Sequence, residues 1–142
     1  GRMEASVISS TVNVASRLET LTKEYKTPVL ISGETFEKLP KNRFRTRWID
    51  RVAVKGQIRE TDIHELIDAY ADEDILLKQR TLPLFKKALD SYWDGDRNNA
   101  KIMLEEVLAE NPKDTVAKLY LERCAERREK DRRVKARMNL TE

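Results

Sequence analysis

The sequence predicts a two-part chain: an α/β or α+β first part in the order β-α-β-α-β-β, then a second part made only of helices. Three observations carry this. Short β-rich runs alternate with stretches whose apolar residues recur at helical spacing between residues 4 and 67. Cap, turn and proline residues fall between these runs. Near Ala69 the composition changes, and no strand pattern recurs after it. We therefore place one domain over residues 1–69 and a helical extension over residues 70–142.

The elements follow in order. "EASVIS" (residues 4–9) reads as a short strand, and Ser9, Ser10 and Thr11 are natural helix caps. From Thr11 to about Lys26, Val14, Ala15, Leu18, Leu21 and Tyr25 recur at helical spacing. "TPVLIS" is a β-rich run with Pro28 at its start, where proline is tolerated. "SGETFEKLP" reads as a short capped helix stopped by Pro40. In "RFRTRWIDRVAVKGQ" the apolar residues Phe44, Trp48, Val52 and Val54 alternate, with a break near Asp50. "KGQ" is a turn and "TDIHELI" a strand, so the two runs form an antiparallel hairpin.

"DAYADEDILLKQRTLP" shows no strand pattern and reads as the junction. Three helices follow: "LPLFKKALDSYWDGD", "RNNAKIMLEEVLAENP" ended by Asn111-Pro112, and "KDTVAKLYLERCAERREK". With Ala88, Ala100, Leu104 and Pro112 at these spacings, the segment resembles one tetratricopeptide repeat, a unit of about 34 residues, plus a following helix. A lone repeat buries its faces poorly, so it is expected to pack on the first domain or on another chain.

Composition bounds the function. Lysine and arginine number 28 and acidic residues 25, for a net charge of +3. Such interleaved charge argues against a dedicated nucleic-acid binder, which needs a clustered basic face. The basic tail Arg127 to Arg137 alternates signs and reads as a solvated helix face. One cysteine, Cys124, excludes a disulfide framework within the chain, and one histidine, His64, leaves little for metal chemistry. Cys124 reads as a small buried residue, His64 as facing solvent or a neighbouring chain, and Trp48 and Trp93 as core or interface anchors. No apolar run approaches the ~20 residues of a membrane span, so the chain reads as a cytoplasmic piece from a reducing compartment. An anchor upstream in a longer parent stays open.

One stretch carries candidate chemistry. In "VISSTVNVASRLETLTKEY", Asn13 and Arg17 stand four residues apart, within about 40° of each other around a helix. They lie near its start, where unpaired N–H groups and the dipole favour anions. An amide and a guanidinium there could hold a phosphate and a nearby sugar oxygen. On spacing alone, a capping-region amide and a solvated charge are the more frequent outcome.

The wider string extends the reading. "RMEASVISSTVNVASRLETLTKEYKTPVLIS", with "RVAVKGQ" and "IHELI", resembles the C-terminal half of a class III adenylate/guanylate cyclase catalytic domain, from about Arg2 to Ile67. The resemblance implies a ferredoxin-like fold and an adenylate cyclase that converts ATP to 3′,5′-cyclic AMP and pyrophosphate. It implies that Asn13 positions the ribose and that Arg17 stabilises charge on the α-phosphate during attack by the 3′-hydroxyl. Lys55 of "VKG" would contact the triphosphate, and Ser6 would meet the purine edge. A hydroxyl both donates and accepts, so guanine, and with it a guanylate cyclase, stays an alternative. Ser9-Ser10 stands where the family usually carries an acidic residue before "TVN".

The family's two catalytic divalent metals, magnesium or manganese, are held by aspartates in the N-terminal half, which these residues do not include. The resemblance further implies a homodimer with the active site at its interface. The expectation is that the parent is active while these 142 residues alone are inactive, with an atypical or swapped oligomer open to them. A non-catalytic pseudo-cyclase with a helical interaction module is the alternative from a different class.

Overall fold

The computed structural model describes residues 15–53 and 60–126. The expected strand at 4–9, the "KGQ" turn, the basic tail and the candidate residues Ser6, Asn13 and Lys55 lie outside the described residues. Within them the fold is α+β, and the chain divides into two compact units, Gly1–Ile75 and Leu76–Glu142.

In the first unit, helix α1 covers residues 15–25. Strand β1 (Leu30–Ser32), helix α2 (Gly33–Lys38), β2 (Thr46–Val52) and β3 (Thr61–Leu66) follow, and a 3₁₀ turn (Ile67–Ala69) closes the unit. The strands form an antiparallel sheet in the order β1-β3-β2. The expected hairpin is therefore present as the β2–β3 pair.

Local chemistry explains the boundaries. Helix α1 ends at Lys26, whose φ of 54° is left-handed, and the Thr27 N–H reaches back to the Thr22 carbonyl at 3.1 Å. That is a Schellman-type stop without its usual glycine. Helix α2 is capped by Ser32, whose side chain accepts from the Thr35 N–H at 3.2 Å. A Cβ on Gly33 would stand 3.1 Å from the Asp62 Cβ, tighter than most such contacts, so any larger residue needs that side chain to give by a few tenths of an ångström.

The β2–β3 register carries a bulge. Trp48 pairs with His64 and Asp50 with Ile63, leaving Ile49 as the extra residue. A bulge changes which face the following residues occupy. Leu30, Ser32, Arg47, Asp50, Ile63 and Glu65 consequently share the inner face, with Leu21 and Tyr25 of α1 also buried. The other face carries Ile31, Trp48, Arg51, Asp62 and His64.

This corrects the alternation read from β2. Phe44 is 42% exposed and Trp48 only half-buried, whereas Arg47 and Ile49 are buried. Arg47 can occupy the interior because its guanidinium is paired there with Glu65. His64 is also corrected: it is buried, and its ring stacks on Phe36 at 4.0 Å with 9° between the planes.

The second unit holds most of α3 (Asp72–Trp93), together with α4 (Arg97–Glu110) and α5, which covers residues 115–126. Helix α3 starts well before the expected Leu82 and runs through Pro83, so the expected junction is helical. Its buried stripe is Phe85, Ala88, Leu89 and Tyr92; that of α4 is Ala100, Leu104 and Val107; that of α5 is Val116, Ala117, Tyr120 and Cys124. Each repeats at three or four residues, as one buried helix face requires. Trp93, read as an anchor, is 51% exposed, while Cys124 is buried as expected.

Gly95, at φ 88°, turns the chain between α3 and α4, and Asp96 caps α4 through the Asn99 N–H. Asp114 caps α5 by accepting from the Ala117 N–H at 3.1 Å, and Lys78 of α3 lies 4.0 Å from the same carboxylate oxygen. Among the described residues, no helix is long and apolar enough to cross a membrane.

Candidate functional site

Of the four candidate residues, Arg17 alone lies among the described ones. It is exposed on α1, two turns ahead of the buried Tyr25 and one ahead of the buried Leu21. A long cation on the rim of a buried stripe is available to an anionic ligand at no cost to the core. Its relation to Ser6, Asn13 and Lys55 falls outside the described residues.

What holds α1 in place is visible. The Tyr25 hydroxyl donates to Oδ2 of Asp50 on β2, both residues being buried. The other Asp50 oxygen accepts from the Arg51 N–H at 2.7 Å. Both oxygens of this buried carboxylate are therefore bonded, as burial of a charge demands.

Beside it lies a second buried network. Arg47 Nε and Nη2 reach Oε2 of Glu65 at 2.9 and 2.8 Å, and the Tyr70 hydroxyl donates to Oε1. Both side chains of the Arg47–Glu65 pair are fully buried. The sequence reading passed over Tyr25, Asp50, Arg47, Glu65 and Tyr70. The available signal was two tyrosines and two acids near strand positions; the Tyr25–Asp50 pairing depends on the bulge, and the Arg47–Glu65 pairing on the cross-strand register ahead of it.

On the opposite face, partial burial pushes the Asp62 carboxyl up. Hydrogen bonds from Arg51 Nε at 2.9 Å and Trp48 Nε1 at 3.2 Å outweigh it and hold the carboxyl below the usual range. Burial depresses the His64 imidazolium below its ordinary 6.5, against the opposing pull of Asp62. His64 is therefore mainly neutral at pH 7. Asp68 is held low first by the Arg45 N–H at 2.7 Å and then by the Arg45 guanidinium at 2.9 Å.

No group of three or more His, Cys, Asp or Glu side chains among the described residues is arranged to hold a metal ion. The two divalent ions implied by the cyclase resemblance thus find no donor set among the described residues.

Comparison with known proteins gives three relatives named adenylate cyclase. The terminal-differentiation-specific adenylate cyclase of Dictyostelium discoideum is 32% identical over 125 residues, 87% of this chain and 6% of that protein. Adenylate cyclase 1 of Rhizobium meliloti (strain 1021) is 36% identical over 66 residues, 46% of this chain and 10% of its own length. The adenylate cyclase of Anabaena cylindrica is 40% identical over 67 residues, again 46% of this chain and 13% of its own.

The chain is therefore related to adenylate cyclases over about half to most of its length, and spans 6–13% of these relatives. A match of 125 residues cannot fit within Gly1–Ile75, so the first one extends into the helical unit. No family model matches the chain, and no solved structure does.

Proposed function

We propose that this chain is part of an adenylate cyclase that converts ATP to 3′,5′-cyclic AMP and pyrophosphate. The observation that carries the reading is the similarity to three proteins named adenylate cyclase, one of them over 87% of the chain. The exposed Arg17, on a helix tied into the sheet by buried bonds, supports it.

In the reaction, the ribose 3′-oxygen forms a bond to the α-phosphorus, and the bond from that phosphorus to the β-phosphate bridging oxygen breaks. Pyrophosphate leaves and the hydroxyl proton passes to solvent or a base. Negative charge builds on the α-phosphoryl oxygens in the transition state, where a fixed guanidinium lowers the barrier. Arg17 supplies that group, Asn13 orients the ribose, Lys55 contacts the triphosphate and Ser6 meets the purine edge. The partner half of a homodimeric site carries the carboxylates for two divalent ions, so these 142 residues alone do not turn over ATP. The helical unit is a tetratricopeptide-like extension of the cyclase domain, and the first relative's match across both units favours their belonging together.

The test is to assay the full-length protein with ATP and with GTP, alongside Arg17→Ala. Cyclisation of ATP that is lost in Arg17→Ala supports the reading. A full-length protein with no cyclase activity would leave the pseudo-cyclase reading in its place.

A further inference from the structure

The helix that carries Arg17 is held by an unusual device. Tyr25, two turns beyond Arg17 on α1, is 1% exposed, and its hydroxyl donates to the buried Asp50. Asp50 reaches that hydroxyl only because of the bulge at Ile49. With unbroken register after Trp48 and His64, Asp50 would oppose Asp62 on the outer face, beside another carboxylate. The extra residue brings Asp50 opposite Ile63 on the inner face instead. Bulges are common where a strand must re-aim one side chain, and they recur next to active sites.

Hydrophobic burial of Leu21 and Tyr25 holds α1 against the sheet but is non-directional. A directional hydrogen bond to a charged acceptor fixes its rotation and tilt. The lever matters: eight residues of helix place Arg17 about 12 Å from Tyr25 along the axis. A tilt of roughly 5° about Tyr25 therefore moves Arg17 by ~1 Å, a misplacement that can cost ~10²-fold in rate.

We propose that Tyr25 and Asp50 are positioning residues for Arg17, acting through the tilt of α1, with the bulge at Ile49 as the element that aims Asp50. The proposal rests on the cyclase reading above.

A built-in control exists. Tyr70 also donates a hydroxyl bond to a buried carboxylate, Glu65, on the same sheet, but it lies beyond β3 and not on α1. Tyr25→Phe and Tyr70→Phe in the full-length protein each remove one such bond and keep the ring. Both are compared with wild type at a temperature where circular dichroism shows each to be folded. The expected result is a fall in kcat of about tenfold to a hundredfold for Tyr25→Phe. KM for ATP should stay within about threefold, because Arg17 acts on transition-state charge.

Tyr70→Phe should stay within about twofold of wild-type kcat, since the bond it removes joins Glu65 on β3 and not Asp50, the residue that ties α1. Residual dipolar couplings of the 142-residue chain should show residues 15–25 reoriented against β2 and β3 in Tyr25→Phe alone. Equal kcat losses in the two variants, unchanged kcat in Tyr25→Phe, or unchanged couplings would each overturn the positioning role. No ATP cyclisation by the wild-type full-length protein would overturn the cyclase reading instead, and so separates the two failures.

Discussion

Replacing Arg47 by methionine probes the buried network that sets the inner face of the sheet. The substitution keeps an apolar stem of similar reach and removes the guanidinium that bonds Glu65 at 2.8 and 2.9 Å. Glu65 is then a fully buried carboxylate whose Oε1 still accepts from Tyr70. Breaking one side of a buried pair costs about 3–5 kcal/mol. The surviving Tyr70 bond to a charged group offsets part of this, which sets the expectation at the lower end, ~3 kcal/mol.

At 4–8 °C per kcal/mol for a unit of this size, the first unit should melt roughly 12–24 °C lower. Urea denaturation followed by Trp48 fluorescence in a Trp93→Phe background reads that unit by itself, since Trp48 and Trp93 are the chain's two tryptophans. The triple variant Arg47→Met/Glu65→Leu/Tyr70→Phe should return to within about 1 kcal/mol of the background, because an apolar replacement of a whole buried network is often neutral. A single-variant loss under ~1 kcal/mol, typical of a surface ion pair, would refute the reasoning. So would a triple variant no better than the single one.

Two further predictions concern His64 and Asp114. As the chain's only histidine, His64 gives one unambiguous Hε1 resonance, and its titration midpoint should lie below 6.5. A depressed folded-state value means that its stabilising contribution is complete above the unfolded value, ~6.5, and is lost as pH falls through the folded one. Unfolding free energy should therefore decline on acidification from that point, less so in His64→Phe; a midpoint at or above 6.5 would contradict the burial argument. Asp114→Ala removes the α5 cap and the carboxylate 4.0 Å from the buried Lys78, and should destabilise the second unit by about 1–3 kcal/mol. Asp114→Asn keeps the cap and should lose less, as a thermal melt followed at 222 nm would show.

Much of the mixed fold could be read from the sequence because its signals are local. Ser32 caps α2 through its own neighbour's N–H, and the β2–β3 pair follows from two β-rich runs flanking a turn sequence. What failed depends on long-range pairing. The face of β2 was inverted because Arg47 becomes an interior residue only once Glu65 is opposite it, and no alternation rule anticipates a buried charge.

The start of α3 was missed because Asp72, Glu73 and Asp74 read as a polar junction, whereas they sit in the helix's first turn and favour its dipole. Pro83 then looked like a start rather than an interior residue. For the site, the spacing of Asn13 and Arg17 raised the idea and the cyclase resemblance gave it roles. The break read near Asp50 is the bulge, but the Tyr25–Asp50 tie that holds Arg17's helix was illegible, because a break by itself does not say which residue Asp50 meets.

The central claim is that Arg17 belongs to a cyclase active site. It is tested most directly by kcat for ATP cyclisation in the full-length protein and in Arg17→Ala. Since Arg17 is exposed, the substitution should leave the melting temperature essentially unchanged, as surface changes within about 0.5 kcal/mol do. The account predicts a fall in kcat of ~10²–10³-fold, the usual cost of losing one group that stabilises transition-state charge. Near-normal turnover in that variant would contradict it.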